Sequence, residues 1–306
     1  MKTFPPKTVL VAFDFSKRSM RAWRYAQALA QRVGASMQAV YVSPWVLNPE
    51  GVMIPLTLTP EDRLKLEKKL QRVLGQPGAA RIAEGDVGGE ILKTAKDCEA
   101  DLIVMATEGR TGLRRALLGS LTEAVVRRSP VPVLSLRSAK PLRSMLAPVN
   151  AQPYSMAGFH YAEDVARALK MPVTMLHVKR GTSQAAAPLR RLELAAAAAE
   201  TFLGLNVKLK VVNGDPVRKI IEESAKHDLV VLIAHRGGIF RDGLLGTTAE
   251  QVLRRSRAPV LSVPTPTTAA AATPIGRRSR KMRGQAPARL ASRRAGRRGR
   301  WISWKA

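Results

Sequence analysis

The sequence predicts a tandem pair of doubly wound α/β domains followed by a basic, disordered tail. Three observations carry that reading. Residues 119–136, GSLTEAVVRRSPVPVLSL, recur at 246–263 as GTTAEQVLRRSRAPVLSV, with an offset of 127 held through the glycine, the glutamate, the twin arginines and the final apolar run. A repeat of this kind fixes an architecture before any local assignment does. Short runs of Val, Ile and Leu alternate along the chain with helix-patterned stretches, the mark of a parallel sheet covered by helices on both faces. The 306 residues also suffice for two domains of about 140 residues each, close to the usual size of a single core.

In chain order, TVLVAFD at 8–14 opens the first unit as a strand. The helix that follows carries Met20, Trp23, Tyr25, Ala26 and Leu29 as an apolar stripe, and Gly34 is placed to end it. MQAVYV at 37–42 is the second strand, a helix covers about 60–74, and RIAEG supplies the third strand. GGEILKTAKDC reads as helix, DLIVMA as strand, TEAVVRRS as helix and VPVLSL as the last strand. The second unit repeats this plan from SMLAPVN at 144–150 and VTMLHV at 173–178, and DLVVL at 228–232 repeats DLIVM at 101–105. Right-handed crossovers make each unit doubly wound. The domains are therefore 1–138 and 139–263, with 264–306 as the tail.

Composition narrows the class. Hydrophobic residues make up 45 % of the chain and aromatics only 5 %, a balance suited to Ala-rich and Leu-rich helices on a Val-rich sheet. The single cysteine, Cys98, has no partner for an internal disulfide or a zinc knuckle and reads as a buried small hydrophobe. The N-terminal run VLVAF ends at Asp14, too short for a signal core or a membrane span, so the expected location is the cytoplasm. Of the net charge of +28, the tail beyond Pro264 supplies 12 Lys and Arg against no acid, leaving +16 for the rest.

In open parallel sheets, ligands bind beyond the carboxyl ends of the strands where strand order reverses, so the loops after the first and fourth strands are the candidate site. After DLIVMA comes TEGRTGLRRALLGS. Glycines there let backbone amides approach phosphate oxygens, and Gly119-Ser120 opens a helix whose free N–H groups favour an anion. Ser120-Leu121-Thr122-Glu123 reads as a capping box. A tight strand-to-helix turn needs the same glycines, so both readings stand. Asp14 at the end of the first strand fits a turn or helix-cap role as well as a ligand role, and Ser16 is equally placed to cap the first helix.

These residues resemble the universal stress protein family, whose ATP-binding members carry G-x2-G-x9-G-S/T at this position. Here Ala106, Gly109, Gly119 and Ser120 match with the spacing preserved and alanine in place of the first glycine. The resemblance spans residues 5–263 and implies a Rossmann-like, adenine nucleotide alpha hydrolase-like fold. It further implies ATP or a related adenine nucleotide as ligand, with Asp14 and Val42 at the adenine and ribose region, and a non-catalytic role in stress response. Relatives pair through their last strands, which implies that VPVLSL and APVLSV join the two units as an intramolecular pseudo-dimer and leaves a homodimer of the whole chain open.

The second unit departs from the motif. Asn150 replaces the aspartate, and the loop AHRGGIFRDGLLGT admits two alignments: Ala234 and Gly237 opposite Ala106 and Gly109, or, without a gap, Ile233 and Arg236. No catalytic constellation emerges. His160, His177, His227 and His235 lack metal-ligand spacing, His177 reads as core, and neither a P-loop nor a nucleophile elbow is present. The tail, with GRRSRKMRG, SRRAGRRGR and RWISWKA, suits nucleic acid or an anionic membrane surface, or is a solvated extension. The rival to the nucleotide module is an interaction scaffold with vestigial sites.

Overall fold

The computed structural model describes residues 3–43, 45–47, 49–51, 53–55, 57–76, 78–107, 119–137, 141–150, 152–180, 186–234 and 247–264. Pro264, expected to open the tail, instead ends the last strand, and the rest of the tail, 265–306, lies outside the described residues together with Gly109. The first domain runs β1 (Thr8–Ala12), α1 (Lys17–Val33), β2 (Ser36–Ser43), a small hairpin β3 (Trp45–Leu47) and β4 (Met53–Pro55), α2 (Pro60–Leu74), β5 (Ala80–Glu84), α3 (Val87–Asp97), β6 (Leu102–Ala106), α4 (Ser120–Arg128) and β7 (Val133–Leu136). The second runs β8 (Met145–Pro148), α5 (Pro153–Leu169), β9 (Val173–Lys179), α6 (Ala186–Leu203), β10 (Val207–Asn213), α7 (Pro216–Ser224), β11 (Leu229–Ala234), α8 (Thr247–Arg255) and β12 (Val260–Pro264). Only the hairpin was not foreseen from the sequence.

Ten of these strands form one sheet in the order β10-β9-β8-β11-β12-β7-β6-β1-β2-β5. Within each half the pairing is parallel and the order reverses beside the half's first strand, between β1 and β6 and between β8 and β11. The strands are apolar throughout because helices cover both faces. On one face Trp23 of α1, Leu70 of α2, Phe159 of α5 and Leu192 of α6 join Val9, Val11 and Val104. On the other, Ile91 of α3, Val125 of α4, Ile220 of α7 and Val252 of α8 pack on Leu10, Ile103 and Val230. Each such side chain, fully withdrawn from water, contributes about 1.5–3 kcal/mol. Cys98 is half-buried at the edge of the second core rather than enclosed by it, and burial raises its thiol pKa.

The halves meet where β7 and β12 pair antiparallel, Leu134 opposite Leu261 and Ser135 opposite Val260. Above this seam the repeated Glu and Arg of α4 and α8 close a four-membered ring. Arg254 lies 2.6 Å from Glu123 and 3.0 Å from Glu250, while Arg127 lies 3.4 Å from Glu250 and also pairs with Glu123. The Glu123 side chain retains 11 % exposure, and the Nε atoms of both arginines are buried without a hydrogen-bond partner. Removing one carboxylate therefore leaves two guanidiniums sharing one partner in a partly buried seam. We expect Glu123→Gln to lower stability to urea by ~2 kcal/mol, between the values for exposed and fully buried pairs. Glu61→Gln, which breaks the exposed Lys65–Glu61 pair, should change it by less than about 1 kcal/mol.

Candidate functional site

The reversal of strand order in the first half creates a cleft between the ends of β1 and β6. Its walls include Ala12, Asp14, Val42, Ala106, Thr107 and Gly119, with Leu121 and Thr122 from the first turn of α4. Four of the six site residues read from the sequence, Asp14, Val42, Ala106 and Gly119, thus share one cleft. Ser120 is exposed and is not among the lining residues, and Gly109 is outside the described residues. The described walls enclose about 110 Å³, less than the 300–1,000 Å³ common for small-molecule sites. Sequence reasoning missed Thr107, whose backbone holds Gly119, and Ser19, which lies on the α1 side of the cleft. Neither had a motif to mark it.

Asp14 is held by a local turn. One carboxylate oxygen accepts from the Ser16 N–H at 3.0 Å, and the Asp14 N–H donates to the Ser19 hydroxyl at 3.3 Å. Ser16 is the cap of α1, accepting from the Ser19 N–H at 3.1 Å. The second half builds the same turn with Asn150. Its side-chain oxygen accepts from the Gln152 N–H at 3.0 Å, and its own N–H donates to the Ser155 hydroxyl at 2.8 Å. The turn therefore needs the side-chain oxygen and not the charge. Aspartate in the first half places a carboxylate in the cleft that the backbone geometry does not require.

At α4 the capping box is corrected. The cap residue is Gly119, one position earlier than expected, and no side chain caps the helix. Ser120 is already helical, and Glu123 turns away to Arg127 and Arg254 instead of reaching back to the helix start. The ion-pair ring at the seam outcompetes a local capping bond because it satisfies two partly buried guanidiniums. By contrast α1, α2, α3 and α7 all receive a side-chain cap, from Ser16, Thr59, Asp86 and Asp215. Among the described residues no side chain caps the first turn of α4, whose Leu121 and Thr122 line the cleft, and the helix dipole gives that end a partial positive charge.

Gly119 has a structural reason of its own. Its N–H donates to the Thr107 carbonyl at 2.9 Å, and a Cβ at this position would stand 2.9 Å from that same oxygen. The tight strand-to-helix turn thus requires glycine here on steric grounds alone.

In the second half the ungapped alignment holds up to the end of β11. Ile233 pairs with Val263 as Ala106 pairs with Leu136, so Ile233 occupies the Ala106 position. The larger side chain is accommodated by Gly158 of α5, where the first half has Ala22; a Cβ on Gly158 would fall 1.3 Å from Ile233 Cδ1. His177 is 4 % exposed, with Nδ1 3.0 Å from the Val149 carbonyl, a packed position. Residues 235–246, including His235 and the second glycine loop, lie outside the described residues. Among the described residues, no cluster of three His, Cys, Asp or Glu side chains is arranged to hold a metal, and no helix is long and apolar enough to cross a membrane.

Comparison with known proteins agrees with this fold. The profile of the universal stress protein family matches twice, over residues 6–137 and 141–264. A universal stress protein of Methanocaldococcus jannaschii is 37 % identical over 142 residues, 44 % of this chain and 84 % of that protein. One from Thermus aquaticus is 33 % identical over 135 residues, 43 % of this chain and 98 % of that protein. The crystal structure of a universal stress protein from Archaeoglobus fulgidus has the same fold, with a TM-score of 0.66 at 21 % identity, covering 85 % of this chain and 99 % of that one. With the family profile matched in both halves of a single ten-stranded sheet, the chain belongs to the universal stress protein family as a tandem two-domain member.

Proposed function

We propose that the protein is a non-catalytic regulatory module of the stress response that binds one adenine nucleotide, ATP or a close relative, in its first domain. The observation that carries this reading is the convergence of the Asp14 carboxylate with the uncapped first turn of α4 in one cleft. The two ends of a nucleotide ask for these two groups. Ribose or adenine donors suit a carboxylate acceptor, and phosphate oxygens suit free backbone N–H groups at a helix start. Val42 and Ala106 supply small apolar walls between them. The second domain, with Asn150 and Ile233 at the equivalent positions, serves as scaffold and interaction surface.

The test uses the full chain. Nucleotide released on denaturation is separated by chromatography, and the nucleotide-free protein is titrated with ATP by calorimetry beside Asp14→Asn. Asn150 makes the same turn, so this substitution keeps the fold while removing the charge. We expect about one adenine nucleotide per chain and a Kd at least about tenfold weaker in the variant, the scale of one hydrogen bond to a charged group. A folded sample that releases no nucleotide and gives no heat with ATP would leave the interaction scaffold as the reading of both domains. Gly119→Ala serves as the stability control. Its Cβ meets a backbone carbonyl, and we expect a loss of about 1–3 kcal/mol in a urea melt whether or not ligand is present.

A further inference from the structure

A second cavity lies away from the nucleotide cleft, along the outer side of α1. It measures about 470 Å³ and is lined by Arg21, Arg24, Tyr25, Ala28, Leu29, Arg32, Pro141 and Leu142. Its volume falls in the range of about 300–1,000 Å³ that holds small ligands. The walls are aliphatic and aromatic carbon. Its three charged members are all arginines, and no carboxylate lines it among the described residues.

The charge is a property of the whole helix. Over Lys17–Val33, α1 carries Lys17, Arg18, Arg21, Arg24 and Arg32 and no acidic residue. Arg21 and Arg24 are exposed and have no ion-pair partner among the described residues, whereas Arg32 donates to the Leu169 carbonyl at 2.6 Å. The Tyr25 hydroxyl is buried without a partner, and burial, with Asp228 nearby, pushes its pKa well up. The ring therefore faces the cavity and the phenol does not. Asp228 is itself engaged by the Arg143 N–H and the Ser144 hydroxyl.

The duplication provides an internal comparison. Helix α5 sits on the second half as α1 sits on the first, with Tyr161 in the place of Tyr25. There Arg21, Arg24, Ala28 and Arg32 are replaced by Ala157, His160, Asp164 and Ala168. Phe4 packs edge-on against Tyr161 with ring centroids 6.1 Å apart. In one half the flank of the tyrosine is covered by the chain's own phenylalanine beside a rim that contains an acid. In the other, the described residues around the tyrosine leave a cavity ringed by arginines. A structural role common to both helices does not account for that difference.

We propose that this cavity binds an amphipathic organic anion, of which a medium-chain fatty acid is the simplest: the apolar chain against Tyr25, Ala28, Leu29 and Leu142, the carboxylate at Arg21 and Arg24. Guanidinium groups match a carboxylate with paired N–H donors, and apolar walls exclude the water that would otherwise screen them. The same chemistry is presented by a free fatty acid and by an anionic phospholipid, and the enclosed volume favours the free acid.

The full chain is titrated by calorimetry with decanoate below its micelle concentration, and in parallel with acetate, with decanol and with phosphatidylglycerol vesicles. Arg21→Ala with Arg24→Ala removes the anion contacts from exposed helix positions, and Ala28→Trp fills the cavity while leaving every charge of the tail in place. Circular dichroism checks that both variants fold. The proposal expects one decanoate per chain, at least about tenfold weaker binding of decanol, none of acetate, a tenfold or greater loss in the double variant and abolition by Ala28→Trp. Absence of decanoate binding, or binding that the two variants leave unchanged, overturns it. Binding to vesicles but not to monomeric decanoate also overturns it, in favour of a membrane-facing helix.

Discussion

The antiparallel pairing of β7 with β12 is the contact on which the rest of the structure depends. Each half alone would end in a fully buried apolar strand, VLSL or VLSVP, whose outer edge presents unpaired N–H and C=O groups. One pairing resolves both edges and turns two five-stranded sheets into one of ten. Because the strands run antiparallel, the halves are related by an approximate twofold axis, and residues that correspond in the repeat meet across it. Leu134 stands opposite Leu261, and Glu123 and Arg127 meet Arg254 and Glu250. The repeat unit thus carries both a fold and the means of joining its own copy.

That seam also takes up a side chain that the sequence assigned to the start of α4. Glu123 sits three residues past Ser120 and in isolation would cap α4. The second copy offers it Arg254, so it turns to the seam, and the cap position falls to Gly119, which has no side chain.

With the scaffold secured from both sides, the two copies have diverged where the backbone does not object. Asp14 and Asn150 make the same turn and differ in charge. Ala106 and Ile233 share a strand position, and the extra volume is offset by Ala22 against Gly158 one helix away. The flank of α1 is basic and borders a cavity among the described residues, while that of α5 contains Asp164 and is packed by Phe4. In each case the side chains changed while the backbone elements that carry them stayed in register.

The sequence by itself determined the duplication, the ten sheet strands and the helices between them, because a parallel sheet buried on both faces demands short apolar runs at regular intervals and the repeat checks each one. It also brought Asp14, Val42, Ala106 and Gly119 to one place, since the switch point of a doubly wound sheet follows from strand order alone. Only the tertiary structure decided that Gly119 rather than Ser120 begins α4, that Ile233 rather than Ala234 stands for Ala106, and that Glu123 answers to Arg254, 131 residues away. Local patterns fix which elements form. The destination of a polar side chain with two possible partners depends on which of them the fold leaves buried and unpaired.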